Sequence, residues 1–349
     1  MPGQEMVGET RMRKAFGVTC FLVLMGVRTY AQFEAAGTSL FPFLKLDNNA
    51  RTIAMGGASS AMANGIYGAS VNPAATGFLT GTQAMIGYQS LIMDAWAGPM
   101  GYAAPYKNYG VFSSSIMYAS HGYLDSSESL DENGLSTGAT WHVFSLVGSL
   151  AWSKIVYDNL SIGVACKGMY HPIRSSRNYL VSATGIAFDA GCQYRMLGSR
   201  LIVAGVLQNG GFLVSNYTDD FAKLPLPLAV TVGVSYTPRD IPTLRLACDL
   251  QKANDDYLNY KPGAELAIYK KSLFVRGGYC FSEQDLEEGL KQLKNESSGT
   301  YIKSTASGLS LGVGFVTKVN GIATNVDVAY LNRSEDLGPS FALSFLVEY

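Results

Sequence analysis

Large apolar residues occupy every second position in the segment FALSFLVEY, which covers residues 341–349. Successive side chains of a β-strand point to opposite faces, so this segment is predicted to be a strand with one apolar and one mixed face. The same alternation recurs along the chain from residue 143 to residue 330, which predicts an all-β protein. A terminal aromatic residue on such a strand also resembles the assembly signal of membrane barrels. The candidate signal residues are Phe341, Leu343, Phe345, Val347 and Tyr349.

The composition places these strands in a membrane. Charged residues make up 15% of the 349 residues, against roughly 25% in soluble domains, and the mean hydropathy is +0.11. After the N-terminal region, however, no apolar run approaches the roughly 18 residues of a membrane-spanning helix. Abundant apolar residues that are dispersed with a period of two are typical of a transmembrane β-barrel in contact with outer-membrane lipid.

The alternating segments predict a barrel of fourteen antiparallel strands. An even strand number is usual in bacterial outer-membrane barrels, and about ten residues suffice for one tilted crossing. The predicted strands are 83–92, 98–106, 109–120, 141–152, 159–171, 181–195, 200–208, 227–237, 243–251, 263–270, 272–281, 306–317, 321–331 and 339–349.

The predicted connections alternate in length, which indicates the end of the barrel that faces the cell surface. Those after even-numbered strands are short, and those after odd-numbered strands are longer, except for 93–97. Outer-membrane barrels have short periplasmic turns and long outer loops, so the long connections are expected at the cell surface. The predicted outer loops are 121–140, 172–180, 209–226, 252–262, 282–305 and 332–338. A short helix and a solvated loop are both compatible with the fifth of these loops.

The N-terminus has the features of a secretory signal peptide. Basic residues precede a mostly apolar stretch at 15–27, and the tripeptide TYA at 29–31 fits a small-x-small cleavage site. We therefore expect cleavage near Ala31. An uncleaved membrane anchor is the alternative, although the apolar stretch is short for a spanning helix.

The segment between the signal peptide and the first strand does not alternate. Small residues dominate it, as in the run MGGASSA at 55–61, and the dipeptide Asn72-Pro73 favours a turn. A stretch rich in small residues can pack close to other backbone, as a plug inside a barrel lumen must. The predicted division is a signal peptide at 1–31, a plug segment at 32–82 and a transmembrane barrel at 83–349.

The order of motifs in this segment resembles the N-terminal signature of the PorV/PorQ family, a branch of the FadL-like superfamily of barrels. The resemblance implies a fourteen-stranded outer-membrane barrel with an N-terminal plug. It also implies a part in type IX protein secretion, in which the barrel binds cargo proteins or a translocon at the outer surface. The matching residues are Phe43, Leu44, Lys45 and Leu46, then Ala50 and Arg51, then Met55, Gly56, Gly57 and Ala58, and finally Asn72, Pro73 and Ala74.

A second function remains open, the transport of long-chain fatty acids or other hydrophobic small molecules. A secretion partner would need apolar residues in its outer loops, because protein interfaces combine apolar and polar surface. The candidates for such partner contacts are Tyr123, Leu130, Phe212, Tyr217, Phe221 and Leu286.

The sequence offers no enzymatic motif. A GxSxG string at 308–312 lies inside an alternating strand, whereas a nucleophile elbow needs a strand-to-helix turn. The cysteines after residue 31 show no CxxC spacing. A formal net charge of −1 gives no basis for nucleic-acid binding. We predict no enzymatic activity, no cofactor and no nucleic-acid partner.

Three histidines, His121, His142 and His171, fall at the predicted outer ends of strands. A surface metal site and ordinary polar residues at the rim are both compatible with this placement. Charged residues of both signs are predicted on the inward faces, which favours ion pairs over an ion-selective pore, since such a pore favours one sign. This inward set is Lys167, Asp189, Arg195, Arg245, Asp249, Glu265, Arg276 and Asp327.

The alternation also predicts which wall positions face lipid. Arginine at Val232, Val313 or Phe345 is expected to block assembly, because a charge on the lipid face is costly. Arginine at the inward positions Ser235 or Gly312 is expected to be better tolerated.

Overall fold

The computed structural model describes residues 39–349 with gaps. The signal peptide with its cleavage site near Ala31 and the start of the plug segment lie outside the described residues, as do Leu130 and Phe221. The gaps within the range are at 48, 63, 92–93, 125–139, 176–179, 218–223, 270–271, 294–307, 320 and 333–337.

Fourteen antiparallel strands form a closed barrel, in which each strand pairs with its neighbours in sequence and the first pairs with the last. The strands are β1 (Gln83–Ser90), β2 (Trp96–Tyr106), β3 (Gly110–Leu124), β4 (Trp141–Tyr157), β5 (Leu160–Ser175), β6 (Leu180–Met196), β7 (Leu201–Ser215), β8 (Ala229–Tyr236), β9 (Leu244–Ala253), β10 (Leu258–Ile268), β11 (Leu273–Ser282), β12 (Gly308–Val319), β13 (Ile322–Asn332) and β14 (Pro339–Glu348). The predicted fold class and strand number are confirmed.

Strands β3 to β7 are longer than predicted, with 15 to 17 residues each. Tyr123 therefore lies at the end of β3 and Phe212 lies within β7, so their assignment to loops was wrong. Pairing continues past the apolar part of each strand because its neighbours extend equally far. Hydrophobic alternation cannot indicate where such polar extensions end.

Of the two alternatives for the fifth outer loop, the structure has the helix, which spans Glu283–Leu293. Ser282 caps it: the Ser282 backbone N–H donates to Asp285 Oδ2 over 2.7 Å, and the Asp285 N–H donates back to Ser282 Oγ over 3.1 Å. This reciprocal pair satisfies donors that the first helical turn leaves free. The described residues include no helix that is long and apolar enough to cross a membrane.

The two faces of the wall differ as the alternation predicted. Val313 is 49% exposed and Phe345 is 43% exposed, whereas Ser310 and Ser344 on the alternate face are buried. The apolar set of β14 points outward in this way. Tyr349 is fixed by its backbone, since its N–H donates to the carbonyl of Thr82 over 3.0 Å and its carbonyl accepts from Thr82. Its part in an assembly signal stays a prediction.

Residues 39–82, here called the inner segment, pack against the buried face of the wall. The first residues of the segment lie near the long-loop end, where Leu40 N–H donates to the carbonyl of Pro225. Its last residues lie at the short-turn end, where Ile66 N–H donates to Gln83 Oε1 over 2.9 Å. The inner segment thus runs along the barrel between its two ends. Its action as a plug stays a prediction.

Candidate functional site

A buried ion-pair network attaches the inner segment to the wall. The short helix Ala50–Ala54 begins at Asn49, whose side chain accepts from the backbone N–H of Thr52. This helix presents Arg51, which makes two 3.0 Å hydrogen bonds to the carboxylate of Glu265 on β10. Both partners are largely buried, so solvent screens the pair only weakly.

The network continues across neighbouring strands. Arg276 on β11 donates to Glu265 and also to Asp327 on β13, each over 2.7 Å. Asp327 in turn accepts from the hydroxyl of Tyr67 over 2.9 Å. We call Arg51, Glu265, Arg276, Asp327 and Tyr67 the inner network.

The backbone of the MGGA motif packs directly against the wall. A Cβ atom on Gly278 of β11 would lie 2.1 Å from the carbonyl carbon of Met55, and one on Gly263 of β10 would lie 2.4 Å from its oxygen. Gly56 has a φ of +67° and packs equally closely on Tyr279. Only glycine permits these approaches, which explains the small residues of the motif in physical terms.

The Asn72-Pro73-Ala74 motif docks on another part of the wall. Asn72 caps a 3₁₀ helix, Pro73–Phe78, by accepting from Ala74 N–H over 3.0 Å. A Cβ atom on Gly163 of β5 would lie 2.5 Å from the backbone of Pro73. The two motifs therefore fix the inner segment at separate sites, one on β10–β11 and one on β5–β6.

Between these two anchors, the inner segment also binds a buried carboxylate. The backbone N–H groups of Ser59 and Ser60 both donate to Asp249 Oδ2 of β9, over 3.0 and 2.7 Å. A cavity of about 40 Å³ lies beside Asp249, with Lys45, Asp47 and Lys261 also in its lining. Its lining is polar and it has room for a few water molecules rather than for an apolar ligand.

An apolar chamber lies at the long-loop end of the barrel interior, and Leu40, Phe41 and Phe43 of the inner segment fill it. Phe41 is fully buried and has a φ of 63°, which is uncommon for a side chain of this size. Phe43 packs edge-on against it, with ring centroids 5.6 Å apart. The other buried residues of the chamber are Val147, Met169, Ala183, Ala187 and Leu226.

Polar groups border the chamber on one side. His121 and His171 have ring centroids 5.4 Å apart, and both rings lie about 6 Å from Phe43. His171 Nδ1 is 3.0 Å from the hydroxyl of Tyr217. These two histidines therefore face the interior rather than the rim. His142 packs against Phe144 with ring centroids 5.5 Å apart.

The start of the inner segment is held at the chamber by a second set of contacts, here called the outer clasp. Lys45 Nζ lies 3.0 Å from Asp255 and 3.7 Å from Asp256. Ser39 Oγ also donates to Asp255. The side chain of Lys45 is 25% exposed and that of Asp255 is 2% exposed, compared with 17% for Arg51 and 5% for Glu265 in the inner network. Solvent thus reaches the outer clasp mainly through Lys45 and Asp256.

The structure places the residues of the family-like signature at several separate sites along the wall, and their roles stay predictions. Phe43 and Leu44 pack in the chamber, and Arg51 enters the inner network. Ala50 packs beside β13 and β14, and Ala58 packs with Met55 and Ala247. No sequence pattern indicates the chamber, because its wall residues come from four distant segments of the chain.

The described candidate partner residues lie in different surroundings. Phe212 is exposed on the lipid-facing side of β7, and Leu286 is exposed on the helix Glu283–Leu293. Tyr217 packs against the chamber residues and His171. A role of these residues in partner contacts stays a prediction.

Known proteins match this chain in structure but not in sequence. No protein family matches in a scan of family profiles, and no curated protein matches by sequence. Solved structures do match. The toluene transporter TodX of P. putida aligns with a TM-score of 0.60 at 14% identity, over 87% of this chain and 98% of that chain. The Ralstonia pickettii toluene transporter TbuX gives 0.59 at 15% identity over the same shares. A Pseudomonas aeruginosa FadL homologue gives 0.52 at 11% identity, over 90% of this chain and 99% of that one.

The chain shares the fold of these FadL-like barrels. The likeness covers nearly the whole length of the matched chains. At these identities the FadL-like fold is what the comparison shows, and no residue role is transferred by it. The PorV/PorQ branch is not singled out by the matches.

Proposed function

We propose that this barrel passes small hydrophobic compounds across the outer membrane. The observation that carries the proposal is the apolar chamber around Phe41 and Phe43 at the long-loop end, with His121, His171 and Tyr217 as the polar groups at its border. A mainly apolar cavity with a few polar groups at its border is the usual character of a site for a small apolar ligand. The fold shared with toluene transporters agrees with this assignment.

The chamber is occupied by the chain itself, so passage requires a rearrangement. Residues 39–46 are the part of the inner segment that has to leave the chamber. They are held by the outer clasp, whereas the rest of the segment is attached by the inner network and by backbone contacts with wall glycines. Release of residues 39–46 breaks the outer clasp and exposes Leu40, Phe41 and Phe43, but it leaves the inner network and the glycine contacts in place, so it is less costly than removal of the whole segment.

The type IX secretion role implied by the family resemblance stays a prediction. The matched structures are described as transporters and channels of small hydrophobic compounds. Of the six candidate partner residues, Tyr217 faces the interior and Phe212 lies on the outer wall. No observation in the described residues favours cargo binding over ligand passage.

A reversible lock on the outer clasp tests the proposal. Ser39→Cys and Asp255→Cys together place two thiols where the native side chains touch. In a strain that lacks the native gene, uptake of labelled toluene and oleate is measured with the double variant under oxidising and reducing conditions. We expect oxidation to suppress uptake and reductant to restore it, because the disulfide keeps Phe41 in the chamber.

The single variants Ser39→Cys and Asp255→Cys are the controls, and their uptake should not respond to oxidant. Surface display of secreted cargo is scored in the same strains. Normal uptake in the deletion strain together with lost cargo display would overturn the proposal in favour of secretion. Full uptake by the oxidised double variant, with the disulfide verified, would show that the compounds do not pass through the chamber.

A further inference from the structure

Charge is divided between the two ends of the barrel. Basic residues outnumber acidic ones at the short-turn end, where Lys107, Lys154, Arg195, Arg200, Arg239 and Lys318 stand against Asp158, Asp240 and Glu348. At the long-loop end the described residues reverse this balance, with Asp94, Asp255, Asp256, Glu283, Asp285, Glu287 and Glu288 against Lys45, Arg174, Lys252 and Lys291. The net charge of −1 hides this separation.

Exposed aromatic rings accompany the basic residues at the short-turn end. Tyr106 is 54% exposed and Tyr109 is 64% exposed, with ring centroids 5.9 Å apart. Lys107 Nζ lies 5.8 Å from the ring centroid of Tyr106. On the adjacent strand, Trp152 Nε1 donates to the carbonyl of Tyr109 over 2.8 Å, and the exposed Lys154 follows two positions later. These residues are called the basic-aromatic patch.

We propose that the basic-aromatic patch binds the headgroups of anionic phospholipids in the periplasmic leaflet. Tyrosine and tryptophan rings place this part of the wall at headgroup depth, because their apolar bodies and polar tips suit the membrane boundary. Lysines at that depth extend their charged ends to the headgroups and attract anionic lipid. An acidic periplasmic protein is the competing occupant, but the outward rings are continuous with the lipid-facing wall through Phe112.

Trp152 serves as a reporter inside the patch. The other tryptophans, Trp96 and Trp141, lie at the opposite end of the barrel, and replacing each by Phe leaves one fluorophore. The mature chain is folded into phosphatidylcholine vesicles that contain increasing fractions of brominated phosphatidylglycerol or of brominated phosphatidylcholine. Quenching of Trp152 then reports which lipid lies beside it.

We expect the anionic brominated lipid to quench more strongly, with a relative association constant that falls roughly fivefold for each lysine removed from the patch. Lys107→Gln with Lys154→Gln should bring the two lipids close to parity, as should high salt. Arg174→Gln, at the long-loop end, should leave the preference intact. Heat-modifiable migration verifies that every variant is folded.

Equal quenching by both lipids in the reporter protein would overturn the proposal. A preference that survives both lysine substitutions would also overturn it, because the attraction would then not come from the patch. A lipid preference that disappears only when a periplasmic extract is added would indicate that a periplasmic protein occupies the patch instead of lipid.

Discussion

Glu265 shows how a single buried carboxylate connects the inner segment to the wall. It accepts hydrogen bonds from Arg51 of the inner segment and from Arg276 of β11, and it is itself 4% exposed. With its charge removed, two buried guanidinium groups would share the single remaining carboxylate of Asp327. Breaking one side of a buried ion pair is far more costly than losing an exposed pair, since the desolvated partner remains uncompensated.

Glu265→Gln is expected to lower the free energy of unfolding by about 3–5 kcal/mol. The substitution keeps the shape of the side chain, so the effect comes from charge. Urea unfolding in detergent micelles measures it, with Glu287→Gln on the exposed face of the outer helix as the matched control. An unfolding midpoint equal to that of the control would show that the inner network is not a principal attachment.

Neighbouring residues of β12 face different surroundings. Val313 faces lipid and is 49% exposed, and arginine there is expected to reduce assembly, at a cost of about 2–4 kcal/mol near the bilayer centre. Gly312 faces inward, but a Cβ atom there would lie 2.5 Å from Ala54. The expectation that arginine is tolerated at Gly312 was therefore wrong, because the inner segment already occupies that space.

Heat-modifiable gel migration of Val313→Arg and Gly312→Arg checks both statements, and Val313→Leu is the control. We expect both arginine variants to remain unfolded and the leucine variant to assemble. Normal assembly of Gly312→Arg would mean that the inner segment can withdraw from β12 without consequence.

At the scale of elements, the inner segment behaves as a strip of backbone seated on glycines of the wall. Gly278 and Gly277 are adjacent on β11 and point to opposite faces. A Cβ atom on Gly278 would overlap the backbone of Met55, while one on Gly277 would make ordinary contact at 3.6 Å with Leu311. Replacing each of these two glycines by alanine therefore separates the effect of the contact with the inner segment from the general effect of replacing a strand glycine.

Gly278→Ala is expected to displace the MGGA motif and to lower stability by about 1–3 kcal/mol, the usual cost of overpacking. Limited proteolysis measures the displacement, since a detached segment exposes new cleavage sites between residues 47 and 61. Gly277→Ala should match the native protein in both stability and cleavage. Identical cleavage of the two variants would contradict close backbone packing at this site.

At the scale of the whole molecule, the interior holds both ion pairs and apolar clusters. One ion pair is Lys167 and Asp189, which lie 2.6 Å apart on β5 and β6. One apolar cluster lies at the short-turn end, around Ile66, Met85 and Leu346. The cluster near the long loops is filled by side chains of the chain itself, chiefly Phe41. A vacated position there would be an apolar cavity, which stays dry and accepts small aromatic molecules.

Phe41→Ala is expected to lower stability by about 3–5 kcal/mol and to create such a cavity. Toluene should then raise the thermal unfolding temperature of the variant, because a ligand that binds the folded state stabilises it. Phe112→Ala is the control, since Phe112 is 50% exposed on the outer wall and its removal leaves no enclosed space. An equal response of both variants to toluene would show membrane or detergent partitioning instead of binding in the chamber.

The sequence by itself determined the strands of the wall and the side of each strand that faces lipid. Alternation along β8, β12 and β14 specified strands, and the side that faces lipid followed because a barrel has only two faces. Both signs of inward charge also predicted ion pairs, and Glu265 with Arg276 forms one. These inferences were possible because each depends on neighbouring residues of one strand.

The tertiary structure alone decided what fills the barrel. Phe41, His171 and Leu226 are far apart in sequence, and nothing in their local patterns indicates that they share a chamber. The contact of Gly312 with Ala54 could not be predicted either. The sequence pattern around a strand glycine is the same whether the glycine faces open space or a packed segment. Contacts between the inner segment and the wall depend on the closure of fourteen strands around it, and closure is a property of the whole chain.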